Sequence, residues 1–411
     1  MADRLSRRRF LGLSASAGMG ALLARDAGAA PGAHPDGSVQ VTAERGELRS
    51  FDGPHQAALL SEPTPATTFV AFDVTATSKS ELRELLRTIS SRMLRLHHGG
   101  LPENLGPASP PDDNGILGPV LPPRNVAFLL GFGSTLFDGR FGLAHKRPAG
   151  LTSMPTFPND NLRPGLCGGD ISIQICAESA DTVVHALRDL TKHTRGGMQP
   201  RWRIDGFKSL PRPSGTPRNL LGFKDGIANP PTSDPDEMNR LVWVGRRGDE
   251  PSWTRGGTYQ VVRVIRMLVE FWDRVSLNEQ ETMIGRRRGT GAPLDADGEF
   301  DRPNYRADPH GNIIPLSAHI RLANPRTATT DESRILRRGW NYDLGNDVNG
   351  NLDQGLLFTC YQQDIGRQFA AVQKRLIDEP LVDYISPVGG GYFFCPPGLD
   401  GRPGYLGSGL F

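Results

Sequence analysis

The sequence predicts an α+β protein built from two ferredoxin-like β-α-β-β-α-β halves in one chain. Three observations predict it. A β-favouring run followed by a capped helix, and a buried strand followed by a second helix, occur in the same order twice. The 49 Gly and 34 Pro are scattered through many short segments, which points to long connections rather than low-complexity repeats. With 411 residues, 37% hydrophobic and 22% charged, the chain has ordinary globular composition and length for one large or two medium domains.

The first half begins near Thr67. Residues 67–74 are apolar and β-favouring, and Ser78-Lys79-Ser80-Glu81 has capping-box form ahead of Leu82, Leu85, Leu86, Ile89 and Met93 at helical spacing. Residues 125–132 read as a second strand. Ile171, Ile173 and Ile175 alternate with Ser172 and Gln174 as in a half-buried strand, and residues 181–190 read as the next helix. After residue 250 the order returns. Residues 258–267 are rich in Val and Ile, Ser276-Leu277-Asn278-Glu279 repeats the capping-box form, residues 356–361 suit a buried strand, and Ile365, Phe369, Val372 and Leu376 mark a helix. The stretches 95–124, 134–169 and 286–314 carry too much Pro and Gly for regular elements and are expected to be long loops of the kind that cover a site. The expected organisation is a leader at 1–29, a flexible lead-in at 30–60, one half at 61–215 and the other at 216–411.

The leader is read from its order of parts. Arg7, Arg8 and Arg9 precede Phe10 and Leu11, an Ala/Gly-rich stretch runs to Leu23, and Ala27-Gly28-Ala29 is a small-residue cleavage pattern. The stretch is too short to span a membrane. Ser6-Arg7-Arg8-Arg9-Phe10-Leu11 looks like a twin-arginine export signal, which predicts a periplasmic or extracellular protein carried by that export machinery. A basic amphipathic arm is the alternative. Lys plus Arg number 47 against 45 Asp plus Glu, and loss of the leader's five Arg and two Asp takes the formal charge from +2 to −1. Such a balance argues against nucleic acid as a partner. Four cysteines without a C-x-x-C pair disfavour a zinc or cluster site, and Cys176, Cys360 and Cys395 sit in apolar runs as small buried hydrophobes.

Four segments could carry chemistry. In Leu221-Gly222-Phe223-Lys224-Asp225-Gly226-Ile227-Ala228-Asn229-Pro230, glycines flank an acid, and such a backbone can approach a flat ligand closely. Asp-Gly and Asn-Pro are also ordinary turn dipeptides, and alone the segment reads as a turn. His319 lies in the apolar stretch Ala318–Arg326; a lone His there is more often a satisfied core or surface residue than a ligand, and none of the nine His forms an H-E-x-x-H pair. Arg334-Ile335-Leu336-Arg337-Arg338-Gly339-Trp340 reads alone as a basic loop. Gly389-Gly390-Gly391-Tyr392-Phe393-Phe394 reads as a glycine turn entering a final core strand.

Taken together these segments resemble the dye-decolourising haem peroxidases, most closely the exported deferrochelatase/peroxidase branch. Gly222-x-x-Asp225-Gly226 matches the family's G-x-x-D-G motif, His319 falls in its iron-ligand segment, and Arg337 stands at its peroxide-side arginine. Gly131-Phe132-Gly133, Gly168-Gly169-Asp170-Ile171 and the closing glycines agree with it. Trp340 departs from it, standing where a smaller aromatic is expected. The resemblance implies a fold of the dimeric α+β barrel type with long loops around the pocket, one haem b per chain and His319 on the iron. It also implies Asp225 and Arg337 as the groups that act on hydrogen peroxide, and the backbone of Gly226, Ile227 and Ala228 along the haem. Arg286 and the Asn324-Pro325-Arg326 segment would bind its edge and propionates, since a guanidinium fork can donate two parallel hydrogen bonds to a carboxylate. Asp364 is the expected acceptor behind His319, and Trp253, Trp272, Trp340 and Tyr361 are candidate electron relays.

The implied reaction is reduction of hydrogen peroxide through an oxidised haem at the expense of an organic donor, with iron release from haem as an added activity. An iron-uptake system and a second copy of the chain are the further partners it raises. A haem carrier or iron-release protein with incidental peroxide turnover is the alternative, but it has no need of an acid and an arginine beside the iron. A haem-free ferredoxin-like binding module would leave His319 and Arg337 unexplained.

Overall fold

The computed structural model describes residues 50–245 and 248–411. The expected leader, and the lead-in before residue 50, lie outside the described residues. The first half runs β1 (Ala66–Val74), α1 (Lys79–His98), β2 (Val126–Gly133), β3 (Ile171–Ala177), α2 (Ala180–His193) and β4 (Met198–Phe207). Its strands lie in the order β2-β3-β1-β4, all antiparallel. The second half contributes β5 (Thr258–Met267), α3 (Leu277–Ile284), α4 (His319–Ala323), the two-residue β6 (Leu336–Arg337), β7 (Trp340–Asn346) and β8 (Leu352–Gln362). A π-helical turn, Gly366–Ala370, then runs into α5 (Ala371–Arg375), and β9 (Ile385–Cys395) ends the half. Here the order is β9-β5-β8-β7, the same ferredoxin-like plan.

The two four-stranded sheets join at both edges. Phe132 and Gly133 of β2 pair with Phe394 and Phe393 of β9, and Phe207 of β4 pairs with Asn341 of β7, so eight strands close into a ring. Closure removes the exposed strand edges that two separate sheets would carry. Phe69, Trp202, Val262, Val264, Tyr342, Leu357 and Phe393, from both halves, pack together as one buried cluster.

Helices α1 and α3 start where the sequence predicts. Ser78 Oγ accepts from Glu81 N at 3.2 Å and Ser276 Oγ from Glu279 N at 3.3 Å, each satisfying a donor that the first helical turn leaves free. Leu82, Leu85, Leu86, Ile89 and Met93 are all buried on α1.

Three expectations change. β3 is buried on both faces rather than one: Ser172 and Gln174 turn toward the other half, where Gln174 Oε1 accepts from Tyr361 OH at 2.9 Å. The lead-in is part of the fold from Phe51 onward. Phe51, Ala57 and Leu59 are buried, and the Gln56 amide accepts from Leu130 N at 2.7 Å and donates to Leu130 O at 3.0 Å, filling a backbone position beside β2 that composition cannot reveal. The closing glycines lie inside β9 rather than in a turn before it. A side chain at Gly390 would place its Cβ 1.9 Å from Val262 O, so only glycine allows β9 to approach β5 there.

The same alternation positions the site. On β5, Val262 and Val264 enter the buried cluster shared by both halves while Arg263, Ile265 and Met267 face the other way; on β8, Leu357 goes in while Leu356 and Phe358 go out. α1 and α2 pack directly on the outer face of the first sheet. The layer formed by α3, α4 and α5 stands off the second sheet, and the space between them is a cavity.

Candidate active site

The segment 219–226 is a turn, and the turn is what delivers Asp225. Asn219 Oδ1 accepts from both Leu221 N and Phe223 N at 3.1 Å, and Gly222 and Gly226 adopt φ of +85° and +94°, a region that favours residues without a Cβ. Lys224 forms an ion pair with Glu299, whose carboxylate also accepts from Thr216, so the 286–314 loop is tied to this turn.

Asp225 Oδ1 accepts from Arg337 Nη1 at 2.9 Å and from Gly226 N at 2.7 Å. Its Oδ2 has no hydrogen-bond partner among the described residues. Burial works to raise the Asp225 pKa, but the Arg337 charge, then Lys208, then the Gly226 N–H outweigh it and hold the carboxyl below its ordinary range. Arg337 is placed by β6, where it pairs with Cys360 of β8, and by Asn229, whose side-chain amide bonds both its backbone N and O at 2.9 Å. The expected basic loop is therefore a short strand with one guanidinium turned into the cavity.

His319 opens α4 and lines the same cavity. Its Nδ1 lies 2.6 Å from Oε2 of Glu379, a carboxylate only 3% exposed, so Nδ1 carries the proton and Nε2 is the free nitrogen. Burial lowers the imidazole pKa, but the Glu379 charge and hydrogen bond prevail and raise it. Glu379 replaces Asp364 as the partner. Asp364 precedes the π-helical turn and accepts from Arg367 N at 2.9 Å, whereas Glu379 follows the far end of α5, the end that Arg375 ties to α4 by donating to Leu322 O and Ala323 O.

Gly226, Ile227, Ala228, Arg286, Asn324 and Arg326 also line the cavity; Pro325 is not among its lining residues. Arg326 holds a φ of +57°, unusual for a residue with a side chain, and Asn324 Oδ1 accepts its backbone N at 3.1 Å. Its Nε is buried without a partner. Arg286 is buried and donates to Gly291 O and Glu299 O, and burial pushes its pKa down, with the charges of Arg326 and Arg337 acting in the same direction. Of the four relay candidates, Tyr361 turns away from the cavity, Trp340 is buried with its indole N–H on Thr64 O, and Trp253 packs in the first-half core. Trp272 is different: it packs on Phe223, which lines the cavity, and on Tyr384 at 5.2 Å between ring centroids.

Nothing local marked Glu379 or Asn229. Glu379 stands in a short polar segment before Pro380, and Asn229 looked like half of a turn dipeptide. The assembled cavity has apolar walls of Leu221, Phe223, Ile284, Leu356 and Phe358, one free imidazole nitrogen, an acid–guanidinium pair and a cationic edge. That set suits a flat apolar ligand with an anionic edge and a metal at its centre. Among the described residues no group of protein side chains could hold a metal ion by itself.

Two family models match the chain: Dyp-type peroxidase, N-terminal, over residues 56–208, and Dyp-type peroxidase, C-terminal, over residues 216–400. Deferrochelatase of Escherichia coli K12 is 48% identical over 416 aligned residues, covering 98% of this chain and 96% of that protein. The DyP-type peroxidase of Cellulomonas bogoriensis superposes with a TM-score of 0.79 at 36% identity, covering 90% of this chain and 99% of its own. Ferric DtpA of Streptomyces lividans does so with a TM-score of 0.80 at 32% identity, covering 89% and 97%.

Proposed function

The chain belongs to the Dyp-type peroxidase family and is a haem-dependent peroxidase, and from that premise we propose how its residues divide the work. Bound haem supplies a ferric iron at which hydrogen peroxide is reduced and through which an organic donor is oxidised. His319 Nε2 would hold the iron. Glu379 keeps the proton on Nδ1, fixes the ring and makes it a stronger base. The backbone of residues 226–228 would lie against the macrocycle, and Arg286, Asn324 and Arg326 would hold the propionates; the buried, unpartnered Nε of Arg326 is the observation that best fits a carboxylate there.

On the peroxide side, Asp225 Oδ2 takes a proton from the bound peroxide and returns it to the departing oxygen. Arg337 stabilises the negative charge that develops between those events. The observation that carries this reading is that one cavity brings a carboxylate-backed imidazole together with a carboxylate–guanidinium pair whose outer oxygen is free.

Glu379→Gln tests the iron side. It should weaken haem affinity about 10- to 100-fold, the usual effect of removing a partner behind a metal-bound His, measured by transfer of haem to apomyoglobin. Unchanged transfer would remove Glu379 from the account. Relatives at 48% identity are named deferrochelatase, so iron release is the second reading. Fluorescence of metal-free porphyrin from the holoprotein would support it, and persistently intact haem would dismiss it.

Export by the twin-arginine route rests on the sequence motif. Replacing Arg7 and Arg8 with Lys should hold the folded protein in the cytoplasm, because the pair is read as an address rather than as bulk charge. Fractionation of cells expressing both forms checks this, and undiminished export would point to another pathway.

A further inference from the structure

A second cavity, of about 420 Å³, lies beside the first and shares Asn219, Asp225, Gly226, Arg337, Leu356 and Phe358 with it, so the acid–guanidinium pair is a wall common to both. Its size falls in the range of about 300–1,000 Å³ that small-molecule sites occupy. The rim carries exposed apolar side chains: Phe207 is 42% exposed and Leu210 62%.

The charges lining it do not balance locally. Asp225 is committed to Arg337. Arg218 spends its guanidinium on four backbone carbonyls. Arg338 is only 8% exposed; its Nη2 donates to Leu59 O, and its Nε is buried with no partner. Glu62 also lines the cavity, but no ion pair links it to Arg338 or Lys208 among the described residues. The Lys208 ammonium lies 5.1 Å from the centroid of the Trp340 ring and has no carboxylate or hydrogen-bond acceptor among the described residues. The indole thereby gains a reason: the larger ring face supports a cation. Burial pushes the Lys208 pKa down to about 8, with Asp225 opposing that fall and Arg338 adding to it. An ammonium with no hydrogen-bonded anion of its own, since Asp225 is bonded to Arg337 instead, is stabilised by a ligand that brings one.

We propose that this cavity is the binding site for a small aromatic donor bearing a carboxylate, with the carboxylate on Lys208 and Arg338 and the ring against the apolar side chains beside Asp225 and Arg337. The proposal rests on the peroxidase reading for the donor's fate: two donor molecules each give up one electron and one proton while one hydrogen peroxide becomes two waters. The site itself is a matter of binding.

The test is isothermal titration of the ferric holoprotein with 4-hydroxybenzoate and with its neutral analogue 4-hydroxybenzamide. The parent should bind the carboxylate at least about tenfold more tightly, the scale of one charge-assisted hydrogen bond. Lys208→Met should abolish the preference and Lys208→Arg should retain most of it. Equal affinity for the two ligands in the parent, or a preference that survives in Lys208→Met, would overturn the site. If Lys208→Met fails to fold, the parent comparison and Lys208→Arg still decide, since loss of preference on keeping the positive charge would also count against it. Peroxide-induced change of the haem spectrum, recorded on the same parent sample, is independent of this outcome. A protein that reacts with peroxide without discriminating the ligands loses this site alone, and one that discriminates without reacting loses the peroxidase reading alone.

Discussion

Arg337→Leu is expected to slow the reaction of the holoprotein with hydrogen peroxide at least about a hundredfold throughout pH 4 to 8, the usual cost of removing one preorganised donor from developing charge, and by more at the acid end. It should also move the acid limb of the pH profile upward. Arg337 is the strongest of the influences that hold the Asp225 carboxyl below its ordinary range, so without it Asp225 takes up its proton at higher pH and the base form is lost earlier as pH falls. Asp225→Asn should also slow the reaction, but with the acid limb removed, because the titrating oxygen is gone while Arg337 still lowers the pKa of the peroxide itself. Stopped-flow mixing with peroxide, following the Soret band, separates the two. If both variants match the parent across that range, neither residue acts on peroxide.

His319→Ala should express as a folded protein and lose most of its haem, because the iron bond is the anchor and the cationic edge is supplementary. It also leaves Glu379, 3% exposed, without its imidazole, so the variant should melt at a lower temperature than the parent. Haem content per chain and a thermal melt monitored by circular dichroism check both. Full haem occupancy with an unaltered spectrum would place the iron ligand elsewhere.

The elements legible in the sequence were those whose signal is local. The N-cap signals at Ser78 and Ser276 and the apolar spacing on α1 stand in consecutive residues, and each Ser side chain accepts from the backbone N–H three residues on. β7 and β4 were not located. β7 buries only Trp340, Asn341 and Tyr342 before running out into solvent, and β4 alternates only from Trp202 onward, with Arg201, Arg203 and Gly206 where a strand is usually read from bulky apolar residues. The site divides in the same way. Asp225, His319 and Arg337 could be named because their flanking segments match a family pattern, and the structure brings all three to one cavity. Glu379 could not, since Asp364 and Glu379 flank the same helical segment and only the packing of α5 on α4 decides which of them meets the imidazole. Lys208 likewise gains meaning only when β4 brings it over Trp340 of β7.

The measurement that bears most directly on the central claim, a haem held by His319 and turned over by peroxide in this cavity, is an absorption spectrum of the purified holoprotein before and after hydrogen peroxide, with His319→Ala alongside. The parent should show a Soret band that changes on adding peroxide and recovers when an organic donor follows, and His319→Ala should show little Soret absorbance. A parent band indifferent to peroxide, or a His319→Ala spectrum equal to the parent's, would contradict the account.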